Sequence, residues 1–374
     1  MMRFFQFILF LQLVFLVSCG ERRQLADKGN GVALSFKYAT LLDVADFEGF
    51  RRVVVRNPWD SSSVLQTYVL VDRDSALPKG LPHGVVVRTP LRRSVVCAAA
   101  HCGLFDELGA YGAIAGVCDL KFINMKRVHD DVAAGQIVSL GDGLNPDVER
   151  LVELNPDALF VSPFENGAGG RTEKLGVPVV ECAEYMERFP LGRAEWMRFY
   201  GMLLGCEESA DSLFAEVESR YLQMRKLAGS ADVKPSVVYG LKYGSVWYVP
   251  GGRSQTANLL ADAGADYVFS DNLQEKTIPL SFETVFEKGG DADFWLFNYH
   301  QKSDKTCDEL KSEHLAYSKF KAFGSDSILG CNSSRKLYYE ETPFHPDLLL
   351  DDLVKIFHRD LCEDNVLRYF DIVK

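Results

Sequence analysis

Residues Glu207–Ala228, EESADSLFAEVESRYLQMRKLA, decide how the rest of the chain is read. Their apolar side chains fall at Ala210, Leu213, Phe214, Val217, Tyr221, Met224 and Ala228. Spacings of three, four and seven put all of them on one face of an α-helix. Glu207 and Glu208 stand at the end where the helix dipole favours anions, Arg225 and Lys226 at the end where it favours cations. Gly229 is placed to stop the helix. At about 1.5 Å per residue the segment reaches roughly 30 Å, the width of a small domain. A strand–helix alternation lies on each side of it, so the helix reads as a rigid strut between two lobes.

The 374 residues suffice for two domains, each with a core of its own. With 47% hydrophobic and 25% charged residues the chain is globular rather than disordered. A net charge of -11 argues against a nucleic-acid partner, which requires a basic face.

At the N-terminus Arg3 precedes the mainly apolar run Phe4–Val17, a hydrophobic core too short to span a membrane comfortably. Residues 1–18 therefore read as a signal peptide. The ending Leu16-Val17-Ser18-Cys19-Gly20 resembles a bacterial lipobox, which makes Cys19 the expected lipidated residue and residues 19–31 a polar tether. The protein is expected to leave the cytoplasm and stay anchored to a membrane. Eight further cysteines carry no CxxC pair and no dense framework, and most sit in apolar runs where Cys behaves as a small hydrophobe. Cys307 with Cys331 is the one pairing to test, and no bond is expected there.

Residues 32–84 carry the β-type runs Ala33–Tyr38, Phe50–Arg56 and Leu65–Val71, interrupted by Asn57-Pro58-Trp59-Asp60. From residue 85 strands are expected at Val85–Arg88, Ser94–Ala98, Ala113–Cys118, Gln136–Leu140, Asp157–Ser162 and Val177–Cys182. Helices are expected at Gly103–Leu108 and Pro146–Leu154. Beyond the strut, strands fall at Ser236–Leu241, Ser245–Val249, Tyr267–Phe269, Phe294–Asn298 and Ser327–Cys331, with helices at Gln255–Ala263, Phe282–Glu287 and Asp347–Arg359. Such succession implies parallel, mostly buried sheets. The expected fold is α/β. Two Rossmann-like lobes, residues 85–192 and 230–374, each hold a largely parallel sheet, are bridged by segment 193–229, and follow a β-rich extension at 32–84. Ligands of such sheets lie beyond the carboxyl ends of the strands. In the first lobe those ends are Ala99-Ala100-His101, Asp119-Leu120-Lys121-Phe122 and Pro163-Phe164-Glu165-Asn166. In the second they offer Tyr243, Trp247, Arg253, Tyr299 and His300.

One unit occurs on each side of the strut. The segment from Leu144 through Pro146-Asp147-Val148-Glu149 to Val161 parallels the one from Ile278 through Ser281-Phe282-Glu283 to Leu296. Each places a Glu near a helix start, then an apolar pair, a turn and a buried strand. Each Glu alone also reads as simply a favourable charge at a helix N-terminus, whereas two in equivalent places suit a functional pair, and the repeat leaves both readings open.

Together with Ser94–Gly109, Lys174–Val180 and the strut, these blocks make about three quarters of the chain, residues 85–360. This part resembles the class III substrate-binding proteins of bacterial ABC importers for iron-siderophores and vitamin B12. The run from Glu184-Tyr185-Met186-Glu187 to Glu195-Trp196 resembles the lipoprotein branch of Bacteroidetes. The resemblance implies docking carboxylates at Glu149 and Glu283, which enter arginine-lined pockets on a permease dimer driven by its own ATPase subunits. It implies a monomer, no catalysis, no resident cofactor, and small lobe closure. The extension at 32–84 and Gly289-Gly290, in place of the usual turn proline, depart from the simplest members.

A prebuilt pocket of aromatics with a few polar groups suits a bulky metal chelate. The expected contacts are Lys121, Phe122, Phe164, Tyr243, Trp247, Arg253, Tyr299 and Tyr339, with Arg335 as a further cation for an anionic chelate. A ferric siderophore leads, with a corrinoid or haem as alternatives, Tyr299-His300 offering an axial ligand for haem. Bare metal is disfavoured, since only His101 and His300 of the seven histidines stand at strand ends facing the cleft. An exported enzyme finds no support in a Gly-x-Ser-x-Gly elbow, His-Glu-x-x-His or Walker loop. Val249–Ser254 is a Gly-rich turn better read as a helix start than an anion site. An exported surface interaction protein remains the reading from another class, and it would be indifferent to charge reversal at Glu149 and Glu283.

Overall fold

The computed structural model describes residues 31–165 and 176–374. The signal peptide, Cys19, the tether up to Asn30, Asn166, and the start of the Lys174–Val180 stretch lie outside the described residues.

The strut is a single helix, Glu207–Ala228. Ala210, Phe214, Val217, Tyr221 and Ala228 are buried, while Leu213 and Met224 are partly covered at the edge of the same face. It packs against helices Met197–Leu204 and Pro346–Phe357, and Tyr221 donates to Asp262 Oδ2 at 2.6 Å. Gly229 ends it in right-handed conformation, its N–H bonded to Arg225 O, so the expected stop needs no left-handed glycine.

Each lobe is built on a parallel sheet. The N-terminal one runs Val179–Glu181, Ala158–Val161, Ser94–Val96, Ile114–Val117, Val138–Ser139, parallel throughout. The C-terminal one runs Asp266–Tyr267, Ser236–Tyr239, Phe294–Tyr299, Ile328–Asn332 in parallel, closed by the antiparallel edge Asp371–Ile372. The interior strands Ala158–Val161 and Ile328–Asn332 are almost wholly buried, as a sheet covered on both faces requires.

Two strands differ from expectation. Val85–Thr89 joins the extension, pairing in parallel with Val64–Asp72 in a sheet ordered Val32–Leu34, Leu42–Phe47, Phe50–Arg56, Val64–Asp72, Val85–Thr89. Its Val86 is exposed, which an edge strand tolerates and the middle of a parallel sheet does not. Val246–Val249 leaves the parallel sheet altogether and forms a small antiparallel one with Lys242–Tyr243 and Ile278–Leu280.

Two buried carboxylates fasten the extension. Glu195 accepts the backbone N–H groups of Lys37, Tyr38 and Ala39 at 2.7–2.8 Å. Glu187 accepts those of Thr40 and Leu41, the Thr40 hydroxyl and the Trp196 indole N–H. Arg51 reaches the strut at Glu207, and Lys37 and Tyr38 reach it at Glu218. The extension thus grips both the first lobe and the strut.

Candidate ligand cleft

A cavity of about 930 Å³ opens at the carboxyl end of the C-terminal sheet. Strand ends supply Tyr239, Asn298, Tyr299 and His300, and the small antiparallel sheet supplies Tyr243 and Tyr248. The short helix Tyr338–Glu341 adds Tyr338 and Tyr339, and Arg193 and Gln255 line the wall where the lobes meet. Burial pushes the phenols of Tyr239, Tyr299 and Tyr339 up and that of Tyr338 to about 12, so all four remain O–H donors at neutral pH. The site therefore presents a tyrosine-rich wall.

Arg193 is a half-buried cation of this wall. Its Nη1 lies 3.4 Å from Gln255 Oε1, and its Nε is buried with no hydrogen-bond partner. Burial lowers its pKa, opposed by the charge of Glu184. Burial alone would raise Glu184, but hydrogen bonding with His101, the charge of Arg193 and the 2.8 Å bond from Tyr200 hold it below the usual carboxylate range.

A second groove of about 610 Å³ lies beside the first and shares His300 with it. It joins the lobes directly, with Lys121, Asn124, Lys126 and His129 on one side and Ser334 and Arg335 on the other. Asn124 bridges it, its N–H bonded to Glu340 Oε1 at 2.6 Å and its amide to the carbonyls of Ser333 and Lys336. Below, the helix Ala99–Glu107 touches the Tyr338–Glu341 helix at Gly103, where any Cβ would overlap Glu340 O. The lobes meet too closely there for another residue.

Of the expected contacts, Tyr243, Tyr299 and Tyr339 come together on the large cavity. Lys121 lines the second groove, its ammonium 4.7 Å over the Phe122 ring, and Phe122 packs edge-on against His300 at 6.0 Å. Arg335 is in the same groove, ion-paired with Asp304. Phe164 is exposed at its strand end and lines neither space. Arg253 is likewise exposed and apart from both, its N–H bonded across to Gln274 O of a neighbouring segment. Trp247 corrects the reading outright: its ring is fully buried among Phe282, Trp295, Tyr317 and Phe320. In a strand, neighbours face opposite sides, so Trp247 enters the core and Tyr248 faces the cavity.

The histidines also separate. His101 is buried beside Cys182 and Glu184, the one described set whose potential metal-ligating atoms lie within 4.8 Å of one another. The Arg193 charge lies against that set, and burial pushes the Cys182 thiol well up, so it reads as a self-neutralised polar core. Sequence reasoning missed Arg193, Tyr239, Tyr248 and Tyr338. Adjacent to Tyr339, Tyr338 carried some signal.

Glu149 and Glu283 are each exposed in the first turn of a short helix. Asp147 caps the first by accepting from Arg150 N, Ser281 the second by accepting from Thr284 N. A bond from its own backbone N–H, helped by Ser281, holds Glu283 below the ordinary carboxylate pKa. Each helix leads into an interior strand of its lobe, Ala158–Val161 and Phe294–Tyr299.

The family model described as periplasmic binding protein matches residues 95–333. This chain belongs to the periplasmic binding protein family. An uncharacterized lipoprotein of Methanocaldococcus jannaschii is 26% identical over 321 residues, 82% of this chain and 75% of its own length. A periplasmic heme-binding protein from Pseudomonas aeruginosa superposes with a TM-score of 0.59 at 17% identity, covering 76% of this chain and 98% of its own. The molybdate periplasmic binding protein of a Haemophilus influenzae ABC transporter superposes with a TM-score of 0.58 at 14% identity, covering 75% of this chain and 90% of its own. As a periplasmic binding protein, the chain is an extracytoplasmic substrate-binding protein of the ABC-transporter type. It is neither an enzyme nor the carrier of a resident cofactor. Neighbours of nearly equal likeness hold different cargoes, so the likeness fixes the fold and leaves the ligand to the site.

Proposed function

We propose that this protein is a lipid-anchored receptor for an anionic metal chelate, a ferric siderophore first among them, which it delivers to an ABC permease. The observation that carries the reading is Arg193, a half-buried arginine whose Nε is buried and unpartnered on the wall of a tyrosine-lined cavity. A buried donor without a partner is costly, and an acidic oxygen on the ligand would satisfy it. Tyrosine faces suit the flat conjugated surface of a chelate, and their O–H groups suit its oxygens. The ≈ 930 Å³ of the cavity is of the size that ligand sites occupy. Lys121 and Arg335 in the adjoining groove, with Phe122 packed behind His300, would take the part of a large ligand that extends between the lobes, whereas Phe164 and Arg253 are assigned no contact.

Cys19 would carry the lipid. Glu149 and Glu283, one per lobe and each projecting from a capped helix start, would dock on a permease dimer served by its ATPase subunits, with the receptor as a monomer. Calorimetric titration of the protein with ferric catecholate and hydroxamate siderophores, haemin and cyanocobalamin tests the ligand. Tight one-to-one binding of a ferric siderophore is expected. Binding of cyanocobalamin alone would make it a corrinoid receptor and overturn the siderophore assignment. Silence with the whole panel would turn attention to a surface interaction protein.

A further inference from the structure

We propose that Cys97 and Cys118 form a disulfide that staples two strands of the N-terminal lobe at their cleft-facing ends. The two residues come one position after Val96 and Val117, which are register partners on adjacent parallel strands. Neighbouring strands lie about 4.8 Å apart, within the roughly 4.4–6.8 Å between Cα atoms that a disulfide spans. The Sγ atoms already stand 2.9 Å apart, well inside ordinary contact for two sulfurs. Closing them to a bond of about 2.05 Å requires less than one ångström of movement. By contrast, the Cys182 and Cys307 thiols point at backbone carbonyls, at 3.4 and 3.5 Å. The pairing tested by sequence, Cys307 with Cys331, is not made; like Cys97 and Cys118, both are free thiols, but no sulfur–sulfur contact joins them.

The surroundings hold the pair in place. Asp119, next to Cys118, adopts a left-handed backbone with φ 47° and accepts the Gly143 N–H at 3.0 Å. Gly143 lies over the sulfurs' own β-carbons, since a Cβ there would sit 3.5 Å from those of Cys97 and Cys118. Cys97 is half-buried and Cys118 buried, so Cys97 is the more accessible residue of the pair. Proteins outside the cytoplasm meet an oxidising environment in which such a bond persists.

The chemistry is thiol–disulfide exchange with a small disulfide such as oxidised glutathione. Cys97 loses its proton to solvent, attacks one sulfur of that disulfide and releases one glutathione thiol. Cys118 then loses its proton, attacks the Cys97 sulfur in the mixed disulfide and releases the second. Two protein thiols are oxidised by two electrons, and one glutathione disulfide is reduced to two thiols. The staple would tie the entry of the Ala99–Glu107 helix to the loop carrying Lys121, a residue of the groove between the lobes.

The test uses the full chain, incubated with oxidised glutathione, quenched in acid, alkylated under denaturing conditions without reductant, and mapped by mass spectrometry. The expected result is a linked pair of peptides containing Cys97 and Cys118, two hydrogens lighter than their sum. Cys102, Cys182, Cys206, Cys307, Cys331 and Cys362 should all carry the label. In Cys97→Ser, Cys118 should become labelled while the other six are unchanged. Alkyl label on both Cys97 and Cys118 after oxidation, or a link from either to a different cysteine, would overturn the proposal. Neither outcome depends on ligand binding, so the ligand assignment stands or falls separately.

Discussion

Glu195 is where the extension is most exposed to a single change. The side chain is buried, and its two oxygens receive three consecutive backbone N–H groups and, at 3.3 Å, Arg198 Nη1. Glu195→Ala strips the three amides of their acceptor, while Arg198 Nη1 keeps its bond to Ser35 O at 2.9 Å. Of the three amides, that of Ala39 is buried and would stay unpaired, costing about 2 kcal/mol. Those of Lys37 and Tyr38 lie nearer solvent, where water replaces part of what is lost, at about 1 kcal/mol each. The sum, about 4 kcal/mol, corresponds to roughly a thousandfold in the equilibrium for local detachment. Native-state hydrogen exchange should show it directly. Amides 37–39 and the strand Leu42–Phe47 should exchange on the order of a thousand times faster in Glu195→Ala. The sheets of the two lobes should change far less. Glu195→Gln, which keeps one acceptor oxygen, should fall between. If exchange in 37–47 rises less than about tenfold, equal to roughly 1.4 kcal/mol, the carboxylate is not what holds the extension.

Three further outcomes are expected. Hydrogen bonding with Asp347 and Glu107 outweighs burial and raises His345 to about 9. Its contribution, about 3 kcal/mol by linkage, is fully present below pH 6.5 and lost as pH rises through 9. Urea unfolding of the wild type should weaken over that window, and His345→Gln should flatten the dependence. Tyr339→Ala and Arg193→Met should each weaken binding of the ferric chelate at least tenfold by calorimetry, with Arg253→Ala within twofold. Undiminished binding in Arg193→Met would remove the main support for an anionic ligand. Glu149→Arg with Glu283→Arg should abolish uptake in cells while leaving ligand affinity unchanged; uptake that survives both would refute docking through these carboxylates.

The strut was legible to the residue because a 22-residue helix repeats its apolar pattern often enough to fix both ends. The strands were legible as strands but not as members of a sheet. Val85–Thr89 pairs backward onto the extension, a choice made by which edge is free and not by its own valines. At Val246–Val249 the error was one of face: the run was right, yet taking Trp247 instead of Tyr248 swaps core for cavity, since the side-chain period is two. Arg193 left no local trace. It lies in a short helix begun by Pro190, and only the approach of Gln255 from the other lobe turns that turn into a cavity wall. The anchoring of the extension was equally hidden, because Glu187 and Glu195 meet residues about 150 positions earlier in the chain.

Those distant contacts bear on how such a receptor can work. The strut is gripped on its outer side by Arg51, Lys37 and Tyr38, and on the other by the helix Pro346–Phe357, where Arg220 meets the buried Asp347 at 2.7 Å. Asp347 lies 3.5 Å from His345, whose Nε2 is 2.6 Å from Glu107 of the opposite lobe. A chain of charge contacts thus runs from the strut through the second lobe to the first. Together with Asn124 across the groove, it opposes any large rotation of one lobe against the other. Rotation would break several of these contacts at once, each costing about as much as a ligand contact returns. Selectivity must then reside in a preshaped cavity, which is why the unpartnered Nε of Arg193 is informative and why its replacement should act on affinity rather than on closure.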